Sequence, residues 1–197
     1  MKRLAVFVSG SGSDLQSVID AIETGFIENA KIELVVSSKY NVFALERASR
    51  HNILSKVFSK SDFKSSEELF SSLECALNEL KIDYIVLAGY LSIIPESFVK
   101  AFENRIINIH PSLIPKFCGD GFYGMRVHSA VIEAKETESG ATVHFVDGGT
   151  DTGKIILQEK VAVLPNDTAE TLQLRVLELE HKLLPKAVKL LVDGKIK

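Results

Sequence analysis

Tryptophan is absent from this sequence, cysteine occurs only twice, and no apolar run approaches the length of a bilayer crossing. A membrane-spanning helix needs about 20 consecutive apolar residues, whereas the runs here are near strand length, so no membrane span is expected. Met1-Lys2-Arg3 is followed by only five apolar residues before Ser9, which is too few for the core of a secretory leader. Cys75 and Cys118 are far apart and lack C-x-x-C spacing, which leaves no basis for structural zinc and fits a reducing, cytoplasmic setting. A basic excess is also missing. Lys and Arg number 23 against 26 Asp and Glu, a net charge of −3, and without clustered cations nucleic acid is not an expected partner. What the chain does have is 46% apolar residues in a length of 197, ample for one continuous core, so a single domain over residues 1–197 is expected.

Strand and helix patterns alternate through the first hundred residues. Leu4 to Val8 is short and apolar like a buried strand, and Leu15, Val18, Ile19 and Ile22 recur at the spacing of one helix face. A strand at Ile32 to Ser37, a helix near Phe43 to His51 and a short strand at Ser55 to Phe58 follow. A helix over Ser65 to Leu80 has Ser65 and Glu68 spaced as a capping box. "DYIVLAGY" is apolar on both faces, as in the interior of a parallel sheet covered by helices. The second half carries a helix from about Met125 to Lys135, two strands in "GATVHFVD" and "KIILQEKVAVL", and a closing helix capped by Asp167 with Glu170. The fold class is therefore α/β: a Rossmann-like, doubly wound, mostly parallel sheet with an antiparallel C-terminal portion.

Between the first strand and helix, "SGSGSD" supplies Gly10 and Gly12 for a sharp turn and close ligand approach. The following helix start offers unpaired N–H groups and a positive dipole end, which suits phosphate; a plain tight turn is the alternative. A dinucleotide site would require a third Gly where Leu15 stands and an acid after the second strand, where Ser37 and Ser38 occur. NAD is disfavoured.

In "INIHPSLIP" the strand period of two puts Asn108 and His110 on one face. An uncharged amide beside an imidazole suits acyl transfer, one group holding a developing oxyanion and the other handling a proton. The turn "DGGTDTG" is longer and more acidic than a hairpin needs. Asp147 and Asp151 either cap that turn through Asx hydrogen bonds, or one of them pairs with His110, orients the ring and raises its pKa. The decisive observation is whether Asp151 comes within hydrogen-bond distance of His110.

"SGSGSDLQ", "LAGY", "INIHPSLIPKF", "GATVHFVD", "DTGKIILQ" and "EHKLLPKAV", in this order and at these separations, closely resemble the phosphoribosylglycinamide formyltransferases of purine biosynthesis. The likeness runs from the first strand to the last helix. It implies transfer of a formyl group from 10-formyltetrahydrofolate, a co-substrate, to the amine of glycinamide ribonucleotide, without a metal. By this resemblance Asn108 hydrogen-bonds the formyl oxygen, His110 is the catalytic imidazole and Asp151 keeps it charged. Gly10, Gly12, Ser13 and Asp14 contact the phosphoribosyl group, and Glu180 meets the ribose or glycinamide side. Leu91, Ser92, Ile93, Ile94, Asn108, Asp147, Gly148 and Asp151 form the folate pocket. Residues up to about 100 make the nucleotide half, and the rest the catalytic and folate half.

The chain departs from many relatives in having Ser92 and Ser66 where basic residues are common; Lys64 is a candidate substitute for holding the folate tail, with a solvated Lys beside a helix start as the alternative. "KFCGDGFYGMRVHSA" has the glycine content of a loop that closes over substrates. His128 is either a ligand contact or a helix-start residue, His51 and His144 are assigned to solvent or sheet packing, and Ile114–Pro115 is a candidate cis bond. Partners are small molecules, with the chain a monomer or homodimer. A formyltetrahydrofolate hydrolase would carry a regulatory domain and a second His at Pro111, and methionyl-tRNA formyltransferase would add a basic domain; both are disfavoured. A nucleotide-binding module without catalysis is the rival from outside enzymes.

Overall fold

Strand β1 (Lys2–Val8) is fully buried from Leu4 to Val8, which is possible only where helices cover both faces of the sheet. Its alternate residues feed two cores. Leu4, Val6 and Val8 join one apolar cluster, whereas Ala5 and Phe7 join the other, as the two-residue period of a strand requires. A computed structural model describes residues 1–196; Lys197, the end of the expected domain, lies outside the described residues.

The remaining strands are β2 (Ala30–Ser37), β3 (Ser55–Val57), β4 (Tyr84–Leu87), β5 (Ile106–His110), β6 (Glu138–Phe145) and β7 (Ile155–Ala162). They form one seven-stranded sheet in the order β3-β2-β1-β4-β5-β6-β7. Pairings from β3 to β5 are parallel, and β6 and β7 add antiparallel, as the sequence predicts. The helices are α1 (Ser13–Glu23), α2 (Phe43–Arg50), α3 (Ser66–Glu79), α4 (Glu96–Ala101), α5 (Met125–Glu133) and α6 (Ala169–Val192). Helices α1, α2, α5 and α6 pack on one face, and α3 and α4 on the other. Ile114–Pro115 is cis.

Three local details differ from expectation. Helix α4 is absent from the sequence reading because its six residues are too few to show a periodic stripe, and Pro95 supplies its start. Helix α6 is capped by Thr168, which exchanges hydrogen bonds with Thr171, while Asp167 turns to Arg175 instead. At α3, Ser65 caps Glu68 N–H as expected, but the Glu68 carboxylate returns to the amide of Lys64 rather than Ser65.

Gly12 takes φ +71, and a Cβ there would lie 2.6 Å from the Ala44 Cβ. Its lack of a side chain is thus needed for α2 to approach the first loop. Gly10 faces open space.

Candidate active site

A cavity of about 610 Å³ opens beyond the carboxyl ends of β1, β4 and β5, where ligands bind in open α/β sheets, and its size suits a small-molecule site. The fourteen residues assigned from the sequence to catalysis, the ribonucleotide or the folate pocket all line it: residues 10, 12–14 and 91–94, the β5 pair, Asp147, Gly148 and Asp151 of the aspartate turn, and Glu180. Lys64, offered for the folate tail, is exposed and lines no part of it.

The first loop is held from one side only. Gly10 O accepts from Ala44 N–H, Ser11 O from Arg47 Nε, and Gly12 O from Gln16 N–H. Among the described residues, the N–H groups from Gly10 to Asp14 make no hydrogen bond. The scaffold takes the carbonyls and leaves the donors, at a helix start, to an anion.

On β5, Asn108 stands directly opposite His144 of β6, so their side chains share a face. Asn108 Nδ2 lies 3.2 Å from His144 Nε2 and 3.4 Å from Asp151 Oδ1. His144 Nδ1 faces the Phe145 carbonyl at 2.8 Å and must carry a proton to donate to it. His144 is 2% exposed and within the cavity wall, so of its two assignments solvent is excluded and sheet packing holds, with contacts to Asn108 and Asp151 that packing alone did not foresee. Antiparallel pairing with "INIH" places the polar positions Thr142 and His144 beside Asn108 and His110, a juxtaposition that the register and not the local sequence supplies.

Asp151 reaches the cluster from a left-handed backbone conformation, φ +58, tolerated by Asp better than by most residues. Its Oδ2 accepts from Gly119 N–H at 3.0 Å and lies 3.6 Å from His110 Nδ1, while Oδ1 lies 3.5 Å from His144 Nε2. The carboxylate therefore stands within ion-pair reach of His110 but outside hydrogen-bond range. Burial lifts its pKa, but the His144 contact, the His110 charge and the Gly119 amide outweigh burial, and the net direction is below the ordinary Asp value.

His110 is 5% exposed, and its Nε2 donates to the Phe117 carbonyl at 2.9 Å. Phe117 itself holds φ +52, an unfavourable region for a bulky residue. Burial pushes the His110 pKa down; Asp151 pulls it up, as expected, but less strongly, so it stays below 6.5. Asp151 thus raises this pKa as expected but does not keep the ring charged, because the ring loses more hydration than one carboxylate at 3.6 Å restores.

His128 is 2% exposed near the start of α5 and lines the same cavity, and its buried Nδ1 has no hydrogen-bond partner among the described residues. Its pKa is lowered to about 4 by burial and then by His110. His51 bonds Glu23 and Gln16, away from the cavity. Across the cavity floor from α1 to α6, Asp14 and Glu180 are both buried carboxyls with raised pKa values. Asp14 Oδ1 has no hydrogen bond, and His181 Nε2 lies 3.8 Å away.

Among the described residues no helix is long and apolar enough to cross a membrane. The family model described as formyl transferase matches residues 2–188. A phosphoribosylglycinamide formyltransferase of Haemophilus influenzae is 39% identical over all of this chain and 90% of its own length. A trifunctional purine biosynthetic protein adenosine-3 of Drosophila pseudoobscura pseudoobscura is 45% identical, and this chain spans 14% of that protein's length. Among solved structures, a glycinamide ribonucleotide transformylase 1 from Symbiobacterium toebii superposes with a TM-score of 0.92 at 36% identity, covering 98% of this chain and 89% of that one. A phosphoribosylglycinamide formyltransferase from Bacillus halodurans gives 0.91 at 34% identity, covering 98% and 97%. With the sheet order, the loop and the Asn-His-Asp cluster in place, this chain belongs to the formyl transferase family, in its phosphoribosylglycinamide formyltransferase branch.

Proposed function

We propose that this protein transfers the formyl group of 10-formyltetrahydrofolate to the amine of glycinamide ribonucleotide. The observation that carries the reading is the convergence of Asn108 and His110 of one strand with Asp151, remote from them in sequence, on one cavity that also holds a loop of unused N–H donors. Relatives of nearly the same length bear the name of that activity, and likeness over the whole chain supports the same substrates here.

The phosphate of the ribonucleotide sits on the N–H groups of residues 10–14. The folate occupies the other end, against Leu91 to Ile94, where Leu91 and Ile93 are exposed apolar side chains suited to a flat heterocycle, and against Asp147 and Gly148. The reacting carbon then lies beside β5. The ribonucleotide amine attacks the formyl carbon, the bond from that carbon to the folate nitrogen breaks, and one proton passes from the amine to the departing nitrogen. Negative charge gathers on the formyl oxygen, and Asn108 Nδ2 with His110 Nε2–H donates to it. A neutral imidazole serves as such a donor. Asp151, held ionised by its neighbours, takes the amine proton, through water where the gap requires it. Since His110 Nε2 now bonds Phe117 O, the 116–124 segment must withdraw that carbonyl as substrates enter; its glycines and the strained Phe117 favour the change.

The test is an absorbance assay of 10-formyltetrahydrofolate with purified protein, with and without glycinamide ribonucleotide. Deformylation that depends on the ribonucleotide supports the reading. Deformylation at the same rate without it indicates hydrolysis, and none in either case leaves only a binding protein.

A further inference from the structure

Between the sheet and α4 the chain crosses the cavity rim without regular structure, from Ala88 to Ile94. Backbone hydrogen bonds tie this segment down at two places among the described residues: Ala88 N–H to Phe7 O at 2.9 Å, and Leu91 N–H to the hydroxyl of Ser9 at 2.9 Å. The first continues the sheet. The second is made by a side chain, and that side chain belongs to the residue just before the Gly10 loop. Ser9 is 5% exposed, and its Oγ also lies 2.6 Å from Ser38 Oγ. Ser38 in turn is fixed by its own N–H to Val8 O at 3.1 Å. One buried hydroxyl thus joins the ends of β1 and β2 to the segment that lines the opposite end of the cavity.

We infer that Ser9 is a positioning residue: its hydroxyl fixes the Leu91 amide, sets the course of Leu91 to Ile94, and so places the folate-facing wall relative to the phosphate loop. The inference rests on the reading of Leu91 to Ile94 as that wall. The physical case is asymmetric. A hydroxyl is one of few groups small enough for this buried site that accepts an amide N–H and still bonds a second hydroxyl. Without it the Leu91 N–H is left unpaired or the segment shifts to reach water, and either outcome penalises whatever binds against that wall. The phosphate loop keeps its own three carbonyl tethers, to Ala44, Arg47 and Gln16, and so is insulated from the change. Ser9 touches neither substrate and acts through Leu91.

The experiment compares wild type with Ser9→Ala and Ser9→Cys. The cysteine variant fills nearly the same space while accepting hydrogen bonds poorly, which separates packing from hydrogen bonding. Expected in both variants is a rise in KM for 10-formyltetrahydrofolate of about tenfold, with kcat and the KM for the ribonucleotide each within about threefold. Calorimetric binding of tetrahydrofolate weakens in parallel, and the Leu91 amide exchanges with deuterium faster. Wild-type behaviour in Ser9→Cys, equal losses for both substrates, or a lowered Tm with both KM values intact overturns the inference. If wild type itself shows no turnover and no tetrahydrofolate binding, the functional reading fails; the Leu91 exchange comparison still decides whether Ser9 sets that segment.

Discussion

Asp151 and Asp14 line the same cavity, and their side chains are 12% and 13% exposed, yet their acidities move in opposite directions. Asp151 is met by Gly119 N–H, by Asn108 and by two imidazoles, and its pKa falls. Asp14 has an oxygen with no hydrogen bond and Glu180 nearby, and burial raises its pKa from 3.8 to about 6. Similar surface exposure therefore does not set the charge state; the loss of hydration, which is deeper at Asp14, and the donors supplied to Asp151 do. On the proposed function, this leaves a ready base where the formyl group would react and a reluctant acid pair beside the first loop, where a second negative charge would oppose an anionic substrate.

The largest effect is expected at the donor side of the reactive cluster. His110→Ala should lower kcat by about a thousandfold or more, with both KM values within several-fold in steady-state kinetics; near-normal turnover would place the chemistry elsewhere. Asp151→Asn removes the base but leaves an oxygen for Gly119 N–H, so a loss in kcat of about a hundredfold is expected. The same change removes the one carboxylate that lifts His110, and NMR titration of that ring should show its pKa dropping further.

Asp14→Asn tests the other half of the comparison through stability. An acid with a raised folded-state pKa is bound to its proton more tightly when folded, so its ionisation costs stability as pH rises from the unfolded value near 3.8 through about 6. Above that window the cost is about 3 kcal/mol at full size. Urea melts should find Asp14→Asn more stable than wild type at pH 8 and equal to it near pH 4; a difference independent of pH would contradict the assignment. Least in size, His144→Phe strips a partner from Asp151 and should shift the acid limb of kcat/KM upward by about one pH unit, making Asp151 behave more like Asp14.

Much of this was legible in the residues. The alternation of buried runs with amphipathic helices gave the doubly wound sheet, and Asn108 with His110 followed from a period of two. Other features were invisible for definite reasons. His144 looked like strand packing because its partner comes from another strand, and a register cannot be read from one segment. Helix α4 was missed for its brevity, and Thr168 displaced Asp167 as a cap because Arg175, about two helical turns further along, claims the carboxylate. Asp147 kept the local role offered for it, bonding Gly149 N–H and Thr152 within its own turn.

By itself the sequence determined which segments are buried, where the chain turns and which polar residues share a strand face, since these depend on neighbours within a few positions. The tertiary structure alone decided that Asp151 stops 3.6 Å from His110, that Phe117 occupies the imidazole, that Ser9 holds Leu91 and that one buried oxygen of Asp14 has no hydrogen bond among the described residues. Hydration and hydrogen bonding are set by whatever surrounds a group in space, and those surroundings are assembled from strands and helices far apart along the chain.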